Sequence, residues 1–184
     1  MSLEPTAVRE YIEWTNFRWN NATDPALPRL VLIGDSIVYN QGDYVFNRLK
    51  EDYAVDLLAT SKCVSDEDYR FELDYMLSRN DYEAIVFNNG LHGWDIDEDT
   101  YLAHLEAVMI HLKKQTPRLF WRTSTPIRTV GDLETFEEVN NPRVIRRNEG
   151  AAAIAAKLDV PVLDLYTPMA AHPEWFFEDA IHYN

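Results

Sequence analysis

Cysteine occurs only once in the 184 residues, at Cys63, so the chain has no intrachain disulfide and no metal site built on several thiolates. Long apolar runs are missing as well. No stretch approaches the roughly 18 apolar residues that a membrane span needs, and no basic-then-apolar leader opens the chain. Positive charge is scarce: 17 Lys and Arg face 31 Asp and Glu, a formal net charge of -14. Such a field disfavours nucleic acid and anionic membrane surfaces as partners. There are six glycines and no glycine-rich phosphate loop, which argues against a nucleotide-binding role. Cytoplasmic localisation is the default expectation, although Met1-Ser2-Leu3 is compatible with a replaced native leader. Oligomeric state is not legible.

The length suits one domain with a sizeable core, taken as residues 1–184. Five short apolar runs recur, at Arg29–Gly34, Ala54–Thr60, Ala84–Asn89, Arg118–Thr123 and Val160–Tyr166. Segments such as Leu30-Val31-Leu32-Ile33 do not alternate in polarity, the pattern of strands buried on both faces of a parallel sheet. Helical spacing lies between them. Asp97 to Gln115 has an acidic first turn, apolar positions Leu102, Leu105, Met109 and Leu112, and a basic end. Pro142 to Leu158 carries Val144, Ala151, Ala155 and Leu158 on one stripe. Shorter helices are expected over Tyr44–Glu51 and Asp66–Arg79, and an N-terminal helix over Glu4–Phe17. Strands alternating with helices predict a three-layer α/β/α sandwich on a five-stranded parallel sheet.

In such sheets, sites form at the carboxyl ends of strands. Ser36, in Gly34-Asp35-Ser36-Ile37, follows the first strand. Ser61-Lys62-Cys63 follows the second, Asn89-Gly90-Leu91-His92 the third, Thr125-Pro126 the fourth, and Asp179-Ala180-Ile181-His182 comes after the fifth. An aspartate three residues before a histidine can accept the Nδ1 proton, leaving Nε2 to deprotonate a serine brought close by folding. That is the chemistry of acyl transfer.

With Gly34-Asp35-Ser36-Ile37 and Asp179-x-x-His182 at the two ends of an alternating α/β chain, the sequence resembles the SGNH hydrolases, also called GDSL esterases and lipases. The resemblance implies the flavodoxin-like SGNH-hydrolase fold and hydrolysis of an acetyl or short acyl ester on a carbohydrate or small alcohol. It implies no metal and no organic cofactor. It also implies that Ser36 is the nucleophile, His182 the base and Asp179 its orienter. The family's oxyanion donors would fall on the N–H of Ser36 and a backbone N–H at Lys62. The third donor, usually an asparagine in Gly-x-Asn-Asp, would fall on His92 or Asn89, since this chain reads Gly90-Leu91-His92-Gly93. Members usually continue into a C-terminal helix on the sheet, and Glu4–Phe17 is the segment expected to take that slot.

Each residue also has a plainer reading. Ser36 suits a helix N-cap, His92 a hydrogen bond at a strand end, and Cys63 a small buried hydrophobe. Trp121 reads as core, whereas Trp94 and Trp175 read as core or as the walls of a substrate site. The altered oxyanion residues leave a second function open: a non-catalytic module that binds a glycan or acylated ligand on the same scaffold.

Overall fold

A computed structural model describes residue 4, residues 9–24 and residues 26–183. In chain order its elements are β1 (Thr15–Arg18), β2 (Arg29–Gly34), α1 (Ser36–Leu49), β3 (Ala54–Thr60), α2 (Glu67–Leu77), β4 (Ala84–Phe87), α3 (Glu98–Lys113), β5 (Arg118–Arg122), β6 (Arg128–Thr129), β7 (Asp132–Phe136), α4 (Asn140–Lys157), β8 (Val162–Leu163) and α5 (Tyr166–Ala170). A 3-10 turn, Pro173–Trp175, precedes the last loop. Aspartates start three of the helices. Asp35, Asp66 and Asp97 each accept a first-turn amide, at 3.0, 2.8 and 2.9 Å, supplying acceptors for N–H groups that have none within the helix.

The main sheet runs β1-β3-β2-β4-β5-β8, parallel throughout except for β1. Side chains alternate across it. Val31, Ile33 and Leu58 enter the larger core with Tyr69 and Leu73 of α2, Leu105 and Met109 of α3, and Ala151 and Ala155 of α4. Leu32, Val55, Leu57 and Ala59 face the other way, against Val38 and Val45 of α1. Both faces of β2 and β3 are therefore buried, which is why their sequences read as unbroken apolar runs. The chain winds from β2 out to β3, then back past β2 to β4. The carboxyl ends of β2 and β4 therefore flank the point where strand order reverses, the place where such sheets hold ligands.

Several expectations need correction. The helix expected over Glu4–Phe17 is absent where it is described: residues 9–14 are irregular, Thr15–Arg18 is a strand, and residues 5–8 lie outside the described residues. Pairing decided this. Thr15 to Arg18 lie antiparallel against Thr60 to Leu57, and Phe17 stacks on Trp19 at 5.8 Å. The sheet thus has six strands rather than five. The N-terminal segment runs along its β3 edge, so it does not cover the face beyond α1. There Leu30, Leu32, Val86, Leu163 and Leu165 line an apolar cavity of about 640 Å³.

Helix α1 begins at Ser36 rather than near Tyr44, because Asp35 caps it and Ile37 and Val38 pack inward at once. Strand β8 is only Val162–Leu163, and both residues are about 40% exposed. The hairpin β6–β7 had no sequence counterpart. It turns through Val130-Gly131 with Gly131 at φ 85°, and the Arg128 amide donates to Ala180 O at 2.9 Å. That bond ties the hairpin to the loop carrying Asp179 and His182. Among the described residues, no helix is long and apolar enough to cross a membrane.

Candidate active site

Ser36 is the first residue of α1. Its N–H belongs to the first helical turn, where amides lack intrahelical acceptors and point at approaching negative charge. Gly34, two residues earlier, lets α1 fold back tightly: a Cβ there would sit 2.2 Å from Val38 Cγ2.

The other end of the chain reaches Ser36 through a tight loop. Phe177 N donates to His182 O at 2.8 Å and Ala180 N to Phe177 O at 3.0 Å, with Ala180 in the left-handed region at φ 64°. A non-glycine residue there costs about 1–2 kcal/mol, and the surrounding loop holds it in place. Asp179 Oδ1 accepts the amides of Ile181 and His182 at 3.0 and 2.8 Å. Its Oδ2 meets His182 Nδ1 at 2.7 Å, and His182 Nε2 meets Ser36 Oγ at 2.8 Å. Burial alone would raise the Asp179 carboxyl, but these two amides and the imidazole outweigh it and hold the group below the ordinary carboxylate range. Because the carboxylate can only accept, His182 Nδ1 carries a proton and Nε2 of the neutral ring can accept one from Ser36. The structure therefore brings Ser36, His182 and Asp179 into one hydrogen-bonded line.

The residues expected around an oxyanion divide. Asn89 is fully buried, and its side chain braces the loop after β3: Nδ2 donates to Lys62 O at 2.9 Å and Oδ1 accepts Val64 N at 3.3 Å. The Lys62 amide points to Thr60 Oγ1 at a long 3.3 Å, while its ammonium lies 3.4 Å from Glu13. His92 stands in the loop after β4, with Nδ1 2.7 Å from Glu10 Oε1. Among the described residues nothing bonds its Nε2.

Trp94 is half-buried beneath two guanidinium groups, those of Arg147 at 4.7 Å and Arg143 at 5.4 Å. One edge of it joins Tyr11, Leu91, His92, Asp95, Arg9 and Glu10 around an open depression of about 630 Å³. Trp175, 40% exposed, stacks on His172 at 3.9 Å. Cys63 is buried, with its thiol pushed up by that burial. It packs against Gly93, whose φ of 69° and missing Cβ permit the approach. Among the described residues, no group of three His, Cys, Asp or Glu could hold a metal ion.

Two contributors escaped the sequence reading. Arg147, on α4 and 1% exposed, donates to the carbonyls of Gly90 (3.1 Å), His92 (2.7 Å) and Gly93 (2.7 Å). It thereby fixes the loop that carries His92. The signal was available: Arg147 falls on the same helical stripe as Val144, Ala151 and Ala155, and a charge on an apolar stripe needs a partner. Glu10 had no such local signal, because its contact with His92 spans 82 residues.

No protein-family model matches the chain, and no curated protein does. Solved structures do match. A GDSL-like lipase from Bacteroides thetaiotaomicron superposes with a TM-score of 0.67 at 14% identity, over 85% of this chain and 80% of that one. An acetylxylan esterase from Geobacillus stearothermophilus gives 0.66 at 16%, over 85% and 87%. A lipase/acylhydrolase from Enterococcus faecalis gives 0.64 at 20%, over 86% and 88%. At these identities the likeness is one of fold: the chain has the three-layer architecture of the GDSL-type hydrolases.

Proposed function

We propose that this chain, with that fold and with Ser36, His182 and Asp179 in line, belongs to the SGNH (GDSL) hydrolases and is a carboxylic ester hydrolase. The observation that carries the reading is the pair of contacts at His182, 2.8 Å to Ser36 Oγ and 2.7 Å to Asp179 Oδ2. Ser36 Oγ attacks the ester carbonyl as its proton passes to His182 Nε2, and Asp179 stabilises the imidazolium. The tetrahedral oxyanion meets the Ser36 N–H at the start of α1, the Lys62 N–H once it leaves Thr60 Oγ1, and His92 Nε2. His92 is the better third donor because both side-chain atoms of Asn89 are committed to the loop after β3. His182 then protonates the departing alkoxide, leaving an acyl-Ser36. Water, deprotonated by His182, adds to the acyl group, and collapse of that second intermediate frees the acid and restores Ser36.

The surroundings support a substrate class. Beside His92 lies the open depression, lined by Tyr11, an edge of Trp94 and the polar groups of Arg9, Glu10 and Asp95. The exposed ring of Tyr11, edged by carboxylates and a guanidinium, suits a sugar ring, which stacks through its C–H face and hydrogen-bonds through its hydroxyls. An acetyl or other short acyl ester on a carbohydrate is therefore the proposed substrate, and two of the solved structures of this fold are named acetylxylan esterases. Trp175, at the head of the loop bearing Asp179, is proposed to wall the site on its other side.

The test is hydrolysis of p-nitrophenyl acetate, butyrate and octanoate, and of acetylated xylan, by the wild type and Ser36→Ala, with a fluorophosphonate probe for Ser36. Activity and labelling that both vanish in Ser36→Ala, by at least about 10³-fold, support the esterase. A folded wild type that neither turns over nor labels overturns it and favours the glycan-binding module, for which the committed Lys62 and Asn89 groups are the motivating observation.

A further inference from the structure

The contact between Glu10 and His92 constrains what His92 can do. A carboxylate only accepts hydrogen bonds, so at 2.7 Å from Glu10 Oε1 the ring nitrogen Nδ1 must carry a proton. In the neutral ring that leaves a lone pair on Nε2, the atom assigned above to the oxyanion. A lone pair aimed at a developing oxyanion repels it. Only the imidazolium, protonated at both nitrogens, donates from Nε2 while keeping its bond to Glu10.

The arrangement is built rather than incidental. Arg147 clamps the His92 carbonyl and its neighbours from α4. The segment bearing Glu10 is anchored where Trp14 and Ser61 exchange hydrogen bonds, Trp14 N to the side-chain Ser61 Oγ at 3.0 Å and Ser61 N to Trp14 O at 3.1 Å. Glu13 on the same segment pairs with Lys62, so its two carboxylates engage both residues assigned to the oxyanion. The charged and titratable groups around His92 are Arg9, Glu10 and Tyr11 on the N-terminal segment and Asp95 on its own loop. From packed elements come Arg143 and Arg147 of α4, with Glu98 of α3 paired to both, and beside Glu10 the side chains of Lys62, Cys63 and Asp66.

We propose that Glu10 is a positioning residue for the oxyanion site: by holding a proton on His92 Nδ1, it makes Nε2 a donor only in the imidazolium, so that turnover stops when His92 loses its second proton. The inference rests on the ester hydrolase reading above. Its chemistry differs from that of an asparagine donor, which does not ionise. Deprotonation of His92 converts the donor into an acceptor, an electrostatic reversal at the oxygen where charge builds up.

The experiment compares the pH dependence of kcat for p-nitrophenyl acetate in the wild type, His92→Asn and Glu10→Gln. The wild type should show a descending limb of about tenfold per pH unit as one required proton is lost. His92→Asn, with a donor that cannot ionise, should lose that limb. Glu10→Gln should lose it too, because a side-chain amide can donate to Nδ1 and allow the neutral ring to carry its proton on Nε2. KM should change less than kcat in both variants, since p-nitrophenyl acetate carries no sugar to use the depression that Glu10 and His92 line. Nitrogen-15 NMR of the histidine rings supplies a readout independent of turnover: neutral His92 should be protonated at Nδ1 in the wild type and shift towards Nε2 in Glu10→Gln. An unchanged limb in either variant, or a neutral wild-type ring protonated at Nε2, overturns the proposal alone. A wild type that hydrolyses no ester overturns the ester hydrolase reading and this one with it.

Discussion

Arg147 Nη1 donates to the carbonyl of His92 at 2.7 Å from a side chain with almost no solvent exposure. The same guanidinium also holds Gly90 and Gly93 and lies over the rings of Tyr101 and Trp94. A lysine ammonium is a point donor and cannot span three carbonyls while stacking on two rings. Arg147→Lys should therefore let the His92 loop relax and lower kcat by about 10²-fold, the cost of a misplacement near 1 Å. Kinetics well below the variant's melting temperature check this, and an unchanged kcat would remove Arg147 from the account.

Asp179→Asn should keep the turn, since its Oδ1 can still accept the amides of Ile181 and His182. The amide nitrogen would instead donate to His182 Nδ1 and force the imidazole proton onto Nε2, where no base is left for Ser36. A fall in kcat of about 10⁴-fold with only a small drop in melting temperature is expected.

The same carboxyl predicts how stability responds to acid. Its folded pKa lies below the unfolded value, so it stabilises the fold above the unfolded pKa and loses that contribution as pH falls through the folded pKa. Asp179 is half exposed, so solvent screens the effect and keeps it small. The stability difference between wild type and Asp179→Asn should be constant above about pH 5 and shrink below about pH 4, the ordinary carboxylate region. Urea titrations across that range measure it; a difference that widens in acid would contradict the assignment.

Away from the site, Asp56 is completely buried on β3 and accepts bonds from Arg29, Asn20 N, Asn80 and Tyr82. Asp56→Ala leaves Arg29 with little solvent and no counter-charge, which costs about 3–5 kcal/mol. Chemical unfolding should show that loss, while specific activity per folded molecule stays at the wild-type level.

The sequence made some of this visible and hid the rest for identifiable reasons. Arg29–Gly34 and Ala54–Thr60 have the boundaries read from the chain, because burial on both faces writes a continuous apolar run. Ser36, Asp179 and His182 were legible as two short patterns whose chemistry requires them to meet. Strand β1 was not, since Ile12, Trp14 and Phe17 fit a helical face as well as a strand. Only its pairing with β3, some forty residues away in the chain, decides between them. The first two turns of α1 were hidden because Ile37 and Val38 look like a continuing strand, although Asp35 caps a helix there. Glu10 is one acidic residue among 31 acidic side chains, and only folding singles it out.

Strand β1 also bears on how the molecule survives in solution. Every residue of β3 is buried, and without β1 its outer side would be an open row of amides and carbonyls along Ala-Val-Asp-Leu-Leu-Ala-Thr. A bare apolar edge of that kind recruits strands from other molecules and seeds aggregation. The segment that brings Glu10 to His92 and Glu13 to Lys62 is thus continuous with the strand that seals the sheet. Detachment of this strip would leave a sticky, assembly-prone particle and a His92 without its Glu10 partner, so colloidal stability and the proposed activity depend on the same few residues.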